Sequence, residues 1–236
     1  MIYGIQNISL VSPFSLLISI ILFFGVVLVG DIFQKFFLKK IKKYEFLNYD
    51  IFFSPIIGIY LLIFPLYILI IFEFYSIFLI KFFSYLTLFF GVINFYFNKN
   101  LYLQLIKRFR LKLSPVIHLI IILYTLLFFV SASPITHADS LDYHFFGALN
   151  LINNGHFQKE ILPMHTNLVS LGEIPMALGL SIGAEQFGGI IQFSSLLSLI
   201  PIFFKKKNNR IFLLAILACP VTFFLVSSPK PQLLFC

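Results

Sequence analysis

The sequence has little charge, no tryptophan and only two cysteines. Charged residues occupy 11% of its 236 positions, whereas a soluble domain carries about 25%. Hydrophobic residues make up 60%, including 33 phenylalanines, and the mean hydropathy is +0.99. Charge this sparse excludes an ordinary soluble domain, so we predict an all-α, polytopic membrane protein. Because the composition is biased toward Phe, Ile and Lys, the missing tryptophans do not argue against membrane spans.

Several common signatures are also missing. The two cysteines, Cys219 and Cys236, have no metal-ligand spacing and indicate no disulfide framework. The start of the chain has no basic segment followed by a cleavage site, so no signal peptide is predicted. The histidines outside the spans are too irregularly spaced for a helical zinc pair, and each is an ordinary interfacial polar residue on this pattern: His137, His144, His156 and His165.

Six apolar runs account for most of the chain. A helix needs about 20 apolar residues to cross a bilayer, and the fifth run reaches this length only with residues before Gly189. We predict four spanning helices in residues 1–133, a non-cytoplasmic loop with amphipathic juxtamembrane helices in 134–188, and two further spans in 189–236. The runs are Leu10–Gly30, Ile51–Phe72, Ile77–Phe97, Pro115–Ser133, Gly189–Phe204 and Ile211–Ser227.

The basic residues set the predicted orientation. Their clusters follow the first, third and fifth runs, so one topology places them all on the same side, which the positive-inside rule assigns to the cytoplasm. The N-terminus is then outside, and a bacterial plasma membrane is the expected location. Contact with anionic lipid explains the net charge of +8 without nucleic acid. The oligomeric state stays open. The clusters are Lys35–Lys43, Lys99–Lys112 and Lys205–Arg210.

The loop after the fourth run begins with a helical pattern. Asp139 is placed as the N-cap of a helix that starts at Ser140, with Asp142 in its first turn, and "NNG" at 153–155 is a helix stop. The apolar residues form one stripe, which predicts a helix lying along the outer membrane face. The stripe consists of Leu141, Phe145, Ala148, Leu149 and Ile152.

A second loop helix is predicted near "NLVSLGEIPMALGL". Ser170 and Glu173 match the capping-box spacing, so Glu173 has a structural interpretation as a cap. Pro175 then falls early in the helix, where proline is tolerated. Three glycines are expected to interrupt the helical structure before the fifth span: Gly183, Gly188 and Gly189.

These residues resemble a family. The order of a span, then "ADSLDYHFFGALNLINNGHF", then "LVSLGEIPMALGL", then another span is similar to C-type membrane glycosyltransferases, in the bacterial branch related to protein mannosyltransferases and aminoarabinose transferases. Asp139, Tyr143 and Gly155 stand at matching positions, and the likeness covers Ser131–Leu199. One departure is Asp142, which stands where the family commonly has Arg.

The resemblance implies transfer of a sugar from a polyprenyl-phosphate donor to an acceptor on the non-cytoplasmic side. Asp139 would then be the base that activates the acceptor hydroxyl, beyond its role as a cap. Asp142 would orient the acceptor or share a divalent cation, Mg or Mn, with the donor phosphate. Lys159, His165 and Lys230 are candidates for pairing with the lipid phosphate. The implied substrate-binding residues are Tyr143, His144, Lys159, His165 and Glu173.

Two other interpretations stay open. One is a non-enzymatic membrane protein, such as a transporter subunit or an envelope assembly factor. A transporter should place ionisable groups inside its spans, but only Lys81 and His118 come near this, and Lys81 is close enough to an outer helix end to snorkel. The other is an inactive fragment, because family members continue for several more helices and the chain is expected to be truncated.

Overall fold

The computed structural model describes residues 13–38, 50–72, 74, 76–109, 114–134, 144–154, 172–203 and 209–227. These residues are mostly helical and contain no β-strand, which confirms the predicted all-α fold class. A π-helical turn, Gln34–Leu38, extends the first helix, and a 3₁₀ turn, Asp50–Phe52, precedes the second. The helices are α1 Phe14–Phe33, α2 Ser54–Ile71, α3 Ile77–Phe109, α4 Pro115–Ser131, α5 Phe146–Asn154, α6 Glu173–Leu180, α7 Phe187–Leu197, α8 Leu199–Phe203, α9 Asn209–Ala218 and α10 Pro220–Ser227.

Within the described residues, three helical segments are long and apolar enough to cross a membrane: Phe14–Phe37, Ser54–Ile71 and Ile77–Lys99. A fourth is reached if α9 and α10, which are bent by 58° around Cys219, count as one span. The fourth and fifth predicted runs form shorter apolar helices, Pro115–Ser131 and Phe187–Phe203. The chain is therefore an integral membrane protein, but the predicted count of six spans is not confirmed.

Helices α1, α2 and α3 pack at close range because glycines face carbonyl oxygens at their crossings. A Cβ atom at Gly58 of α2 would overlap the carbonyl oxygen of Val26 on α1. A Cβ atom at Gly91 of α3 would likewise overlap the carbonyl oxygen of Ile21. Small residues at such crossings let membrane helices gain van der Waals contact where no hydrophobic effect drives association.

Two short helices are buried within this helix group: α6 comes from the predicted loop, and α7 from the predicted fifth span. Every residue of α6 is buried, and α7 is buried from Phe187 to Leu196. Their apolar side chains share one core with α1 and α2, including Leu22 and Leu66. A second apolar core joins α4 with α7, α8, α9 and α10. The part of the predicted loop that forms α6 is thus packed inside the helix group.

The turn between α6 and α7 is held by polar contacts to the long helices. Gly183 has a φ of 79°, a left-handed conformation that glycine adopts without strain. The Ser15 hydroxyl on α1 donates to Gln186 Oε1 at 2.5 Å and accepts from the Glu185 N–H at 3.0 Å. The predicted break at Gly183 is thus present. The breaks predicted at Gly188 and Gly189 are wrong, because both lie inside α7, where Gly189 allows close approach to the Ser131 carbonyl.

Candidate functional site

Two of the predicted site residues meet inside the protein. His144 Nδ1 lies 2.7 Å from Glu173 Oε1, although the residues are 29 positions apart in the chain. The Glu173 side chain is fully buried, and that of His144 is 13% exposed. The contact joins the start of α5 to the start of α6. It therefore fixes the N-terminal ends of the two short helices relative to each other.

His144 is positioned by the burial of α5. Residues 144–145 form a π-helical turn that leads into this helix, which packs against α6 and α3. Phe145, Ala148 and Leu151 are fully buried and Ile152 is 8% exposed. The prediction that this stripe lies in the membrane interface is therefore wrong: its described residues face the protein core, because α6 supplies an apolar surface beside it.

Glu173 is positioned by the start of α6. The N-cap of this helix is Gly172, and no side chain caps it by a hydrogen bond. Glu173 is thus the first helical residue, and Ser170, the partner in the predicted capping box, lies outside the described residues. The Glu173 carboxylate contacts His144, in the turn that leads into α5. A carboxylate in the first turn of a helix is also stabilised by the helix dipole. Pro175 lies third in the helix, early enough to be tolerated, as predicted.

The ionisation state of Glu173 decides the direction of this hydrogen bond. An ionised carboxylate can only accept hydrogen bonds, so Nδ1 of His144 donates to Glu173 when that group is ionised. In the neutral imidazole the proton is then on Nδ1, and Nε2 carries the free lone pair. A carboxylate that orients a histidine in this way is the usual arrangement around a proton-transferring imidazole. The burial of Glu173 also requires such a partner, since an unpaired buried charge is costly.

The remaining predicted site residues lie outside the described residues. These residues are Asp139, Asp142, Tyr143, Lys159 and His165, together with Gly155 and Lys230. Within the described ranges, no group of three or more His, Cys, Asp or Glu side chains could hold a metal ion. Sequence reasoning named both His144 and Glu173 but did not pair them. The only available signal was that both are polar residues within an apolar chain.

The fold and the pair define an α-helical integral membrane protein with a buried His–Glu contact between two short internal helices. The chain belongs to the DUF1420 family, because the family model described as the DUF1420 N-terminal domain matches residues 95–236. That description names no activity. No curated protein and no solved structure matches the chain. The matched region contains both residues of the pair and excludes α1 and α2.

Proposed function

We propose that this protein is a membrane glycosyltransferase that moves a sugar from a polyprenyl-phosphate donor to an acceptor hydroxyl on the non-cytoplasmic side. The supporting observation is the buried contact of His144 with Glu173. It joins two polar residues of the segment that resembles C-type glycosyltransferases, and it orients an imidazole one position after Tyr143. The resemblance supplies the reaction, and the contact supplies a reason for these polar groups in an apolar chain.

The proposed reaction uses the side chains in separate roles. Asp139 takes the proton of the acceptor hydroxyl as its oxygen attacks the anomeric carbon of the donor sugar. The bond from that carbon to the phosphate oxygen breaks, and the polyprenyl phosphate leaves with the electron pair. Nε2 of His144, held by Glu173, bonds a substrate hydroxyl and so fixes its orientation. Lys159 and His165 pair with the phosphate charge.

The membrane setting suits such a substrate. A polyprenyl chain needs an apolar surface, and the exposed faces of the long helices carry large apolar side chains, such as Phe78 and Phe89 on α3. The distribution of basic residues supports a non-cytoplasmic position for the His144 and Glu173 segment. The N-terminus would then also be outside.

The experiment that tests this function is a transfer assay on the complete protein in membrane vesicles. Polyprenyl-phosphate hexoses and pentoses with a tritiated sugar serve as probes, and label entering membrane glycans or lipids is measured. Transfer should require the wild-type chain and be abolished by Asp139→Asn. Asp31→Asn is the control, since Asp31 makes a contact with Lys35 on the surface of α1. Normal transfer by Asp139→Asn would overturn the assigned base, and no transfer from any probe would overturn the function.

A second candidate is a non-enzymatic membrane protein in which the His–Glu contact only holds α5 against α6. The complete burial of the Glu173 side chain favours it, because that carboxylate has no solvent access of its own. The two functions differ in the effect of His144→Gln, which removes the imidazole but retains a hydrogen-bonding amide. Loss of transfer with normal thermal stability supports the enzyme. Loss of stability in a protein that transfers no sugar supports the structural role.

A further inference from the structure

Two polar side chains on α7 each have a buried oxygen atom without a hydrogen-bond partner among the residues that the structure describes. Gln192 is 4% exposed and Ser195 is 9% exposed. Within the part of the chain that the structure describes, neither Gln192 Oε1 nor the Ser195 hydroxyl has a hydrogen-bond partner. The neighbouring Ser194 differs, because its hydroxyl donates to the Ile191 carbonyl at 2.5 Å. The unmet hydrogen bonds are thus a property of these two positions and not of every polar residue on the helix.

Both residues lie deep in the helix group. The next residue, Leu196, accepts a hydrogen bond from the Tyr124 hydroxyl at 2.7 Å, and Tyr124 is near the middle of the 17-residue helix α4. The level of Ser195 is thus far from both ends of α4. Because Gln192 and Ser195 are almost fully buried among apolar side chains, bulk water does not satisfy their polar groups.

The backbone beside Ser195 is also irregular. The helical run is interrupted at Ser198, between α7 and α8. The Ser198 hydroxyl donates to the Ser195 carbonyl at 2.6 Å. Irregular backbone at membrane depth is tolerated where it is buried in protein or lines a polar cavity. Side-chain hydroxyls thus donate hydrogen bonds to the carbonyls of Ser195 and Leu196. Gln192 Oε1 and the Ser195 hydroxyl have no such partner among the described residues.

The two groups can share one ligand. Residues three apart on a helix are neighbours on the same face, with Cβ atoms about 5–6 Å apart. Gln192 Oε1 needs a donor, and the Ser195 hydroxyl can donate or accept. Both side chains are neutral, so they suit a neutral ligand better than an ion, which would need an opposite charge at this depth. Their near-complete burial limits the ligand to a small molecule.

We propose that Gln192 and Ser195 form a buried water site inside the helix group, beside the interruption at Ser198. A water molecule there donates one hydrogen bond to Gln192 Oε1 and forms a second with the Ser195 hydroxyl, which can donate or accept. Buried water commonly makes about three hydrogen bonds to polar groups that have no protein partner. The site does not depend on the proposed sugar transfer.

The sign of a stability change tests the site. Met matches Gln closely in volume and removes its polar atoms. With bound water, Gln192→Met in the purified full chain lowers the apparent Tm by about 2 °C or more. If Oε1 were unpaired in a dry site, the same change would raise the Tm, because removing an unsatisfied buried group is favourable. An increased or unchanged Tm overturns the proposal.

A double substitution tests whether the water is shared. Gln192→Met and Ser195→Ala together should cost less than the sum of the single changes, because each one already releases the same water. Additive losses would overturn the shared site. Ser194→Ala is the matched control: it removes a buried serine hydroxyl whose partner is a carbonyl of its own helix, and it should give additive losses with Gln192→Met.

A direct observation decides the matter if the variants do not fold. A map of the wild-type protein in lipid nanodiscs, at a resolution that shows ordered water, should contain an isolated peak within about 3.2 Å of both Gln192 Oε1 and Ser195 Oγ. Continuous density from a lipid, or a packed apolar side chain at that position, would overturn the assignment to water.

Discussion

Glu173 and His144 bond at 2.7 Å across 29 positions of sequence, and both side chains are removed from solvent, the first completely. His144 lies in the turn that leads into α5 and Glu173 is the first residue of α6, and both helices pack inside the protein. The contact therefore fixes the relative placement of α5 and α6, and an ionised Glu173 accepts a hydrogen bond from Nδ1 of His144. A stabilising role and a chemical role are compatible here, since an oriented imidazole requires a rigid support.

The energy of this contact should appear in a double-mutant cycle. Glu173→Gln, His144→Gln and the double variant are compared with wild type by thermal unfolding in detergent. Removing one partner of a buried pair costs about 3–5 kcal/mol of stability when a charge is left unpaired. Substitution by Gln should cost less than this, because its amide still forms hydrogen bonds. We expect each single change to lower the Tm and the double change to cost less than their sum.

The surface pair Asp31 and Lys35 is the matched control for that cycle. It also joins a carboxylate to a nitrogen, but one helical turn apart and with the Lys35 side chain 54% exposed. Such pairs contribute about 0.3–0.5 kcal/mol, so Asp31→Asn should leave the Tm nearly unchanged. Equal effects for the buried and the surface pair would contradict the importance assigned to burial.

Glycine packing between the long helices gives a second prediction. Gly58→Ala places a methyl group against the Val26 carbonyl oxygen of α1, so the helices must separate. We expect a large fall in the Tm and a loss of monodisperse protein on size-exclusion chromatography. Gly188→Ala is the control, because its Cβ would meet Met176 Cγ at 3.5 Å, an ordinary contact. Equal stability of the two variants would refute the close α1–α2 crossing.

The hydrogen bond from Tyr124 to Leu196 gives a third prediction. Tyr124→Phe keeps the ring that packs edge-on against Phe193 but removes the 2.7 Å hydrogen bond to the carbonyl. A buried hydrogen bond contributes about 0.5–1.5 kcal/mol, so the Tm should fall by a few degrees. Tyr85→Phe on the exposed face of α3 should have no effect. A Tyr124→Phe protein as stable as wild type would show that the contact between α4 and α7 does not need this bond.

The helices that depend on local signals were predictable. The run Ile51–Phe72 became α2, Ser54–Ile71, and the run that begins at Pro115 became α4, because long apolar stretches bounded by polar or proline residues have few alternatives. Membrane insertion followed from the same signal. The number of membrane crossings could not be predicted in this way, because the length of an apolar run does not show whether its helix crosses the membrane or packs inside the protein.

The candidate site depended on contacts that sequence spacing does not encode. The apolar stripe of α5 has the same 3.6-residue period whether it faces lipid or protein, so its burial against α6 could not be read from its pattern. Glu173 matches a capping box with Ser170, which lies outside the described residues, and that local pattern gave no sign of the contact with His144. A local pattern carries no information about a residue 29 positions away.

The orientation of the chain gives the last prediction. In a Cys219→Ser, Cys236→Ser background, single cysteines are placed at Lys39, Lys42, His156 and Lys159 and treated in intact cells with a membrane-impermeant maleimide. Because basic clusters stay in the cytoplasm, the two positions after α1 should react only after lysis, and His156 and Lys159 should react in intact cells. Equal labelling of all four from outside would refute the topology, and with it the non-cytoplasmic position of the His144 and Glu173 segment. Labelling of Lys39 and Lys42 alone would place that segment in the cytoplasm and exclude transfer on the outer side.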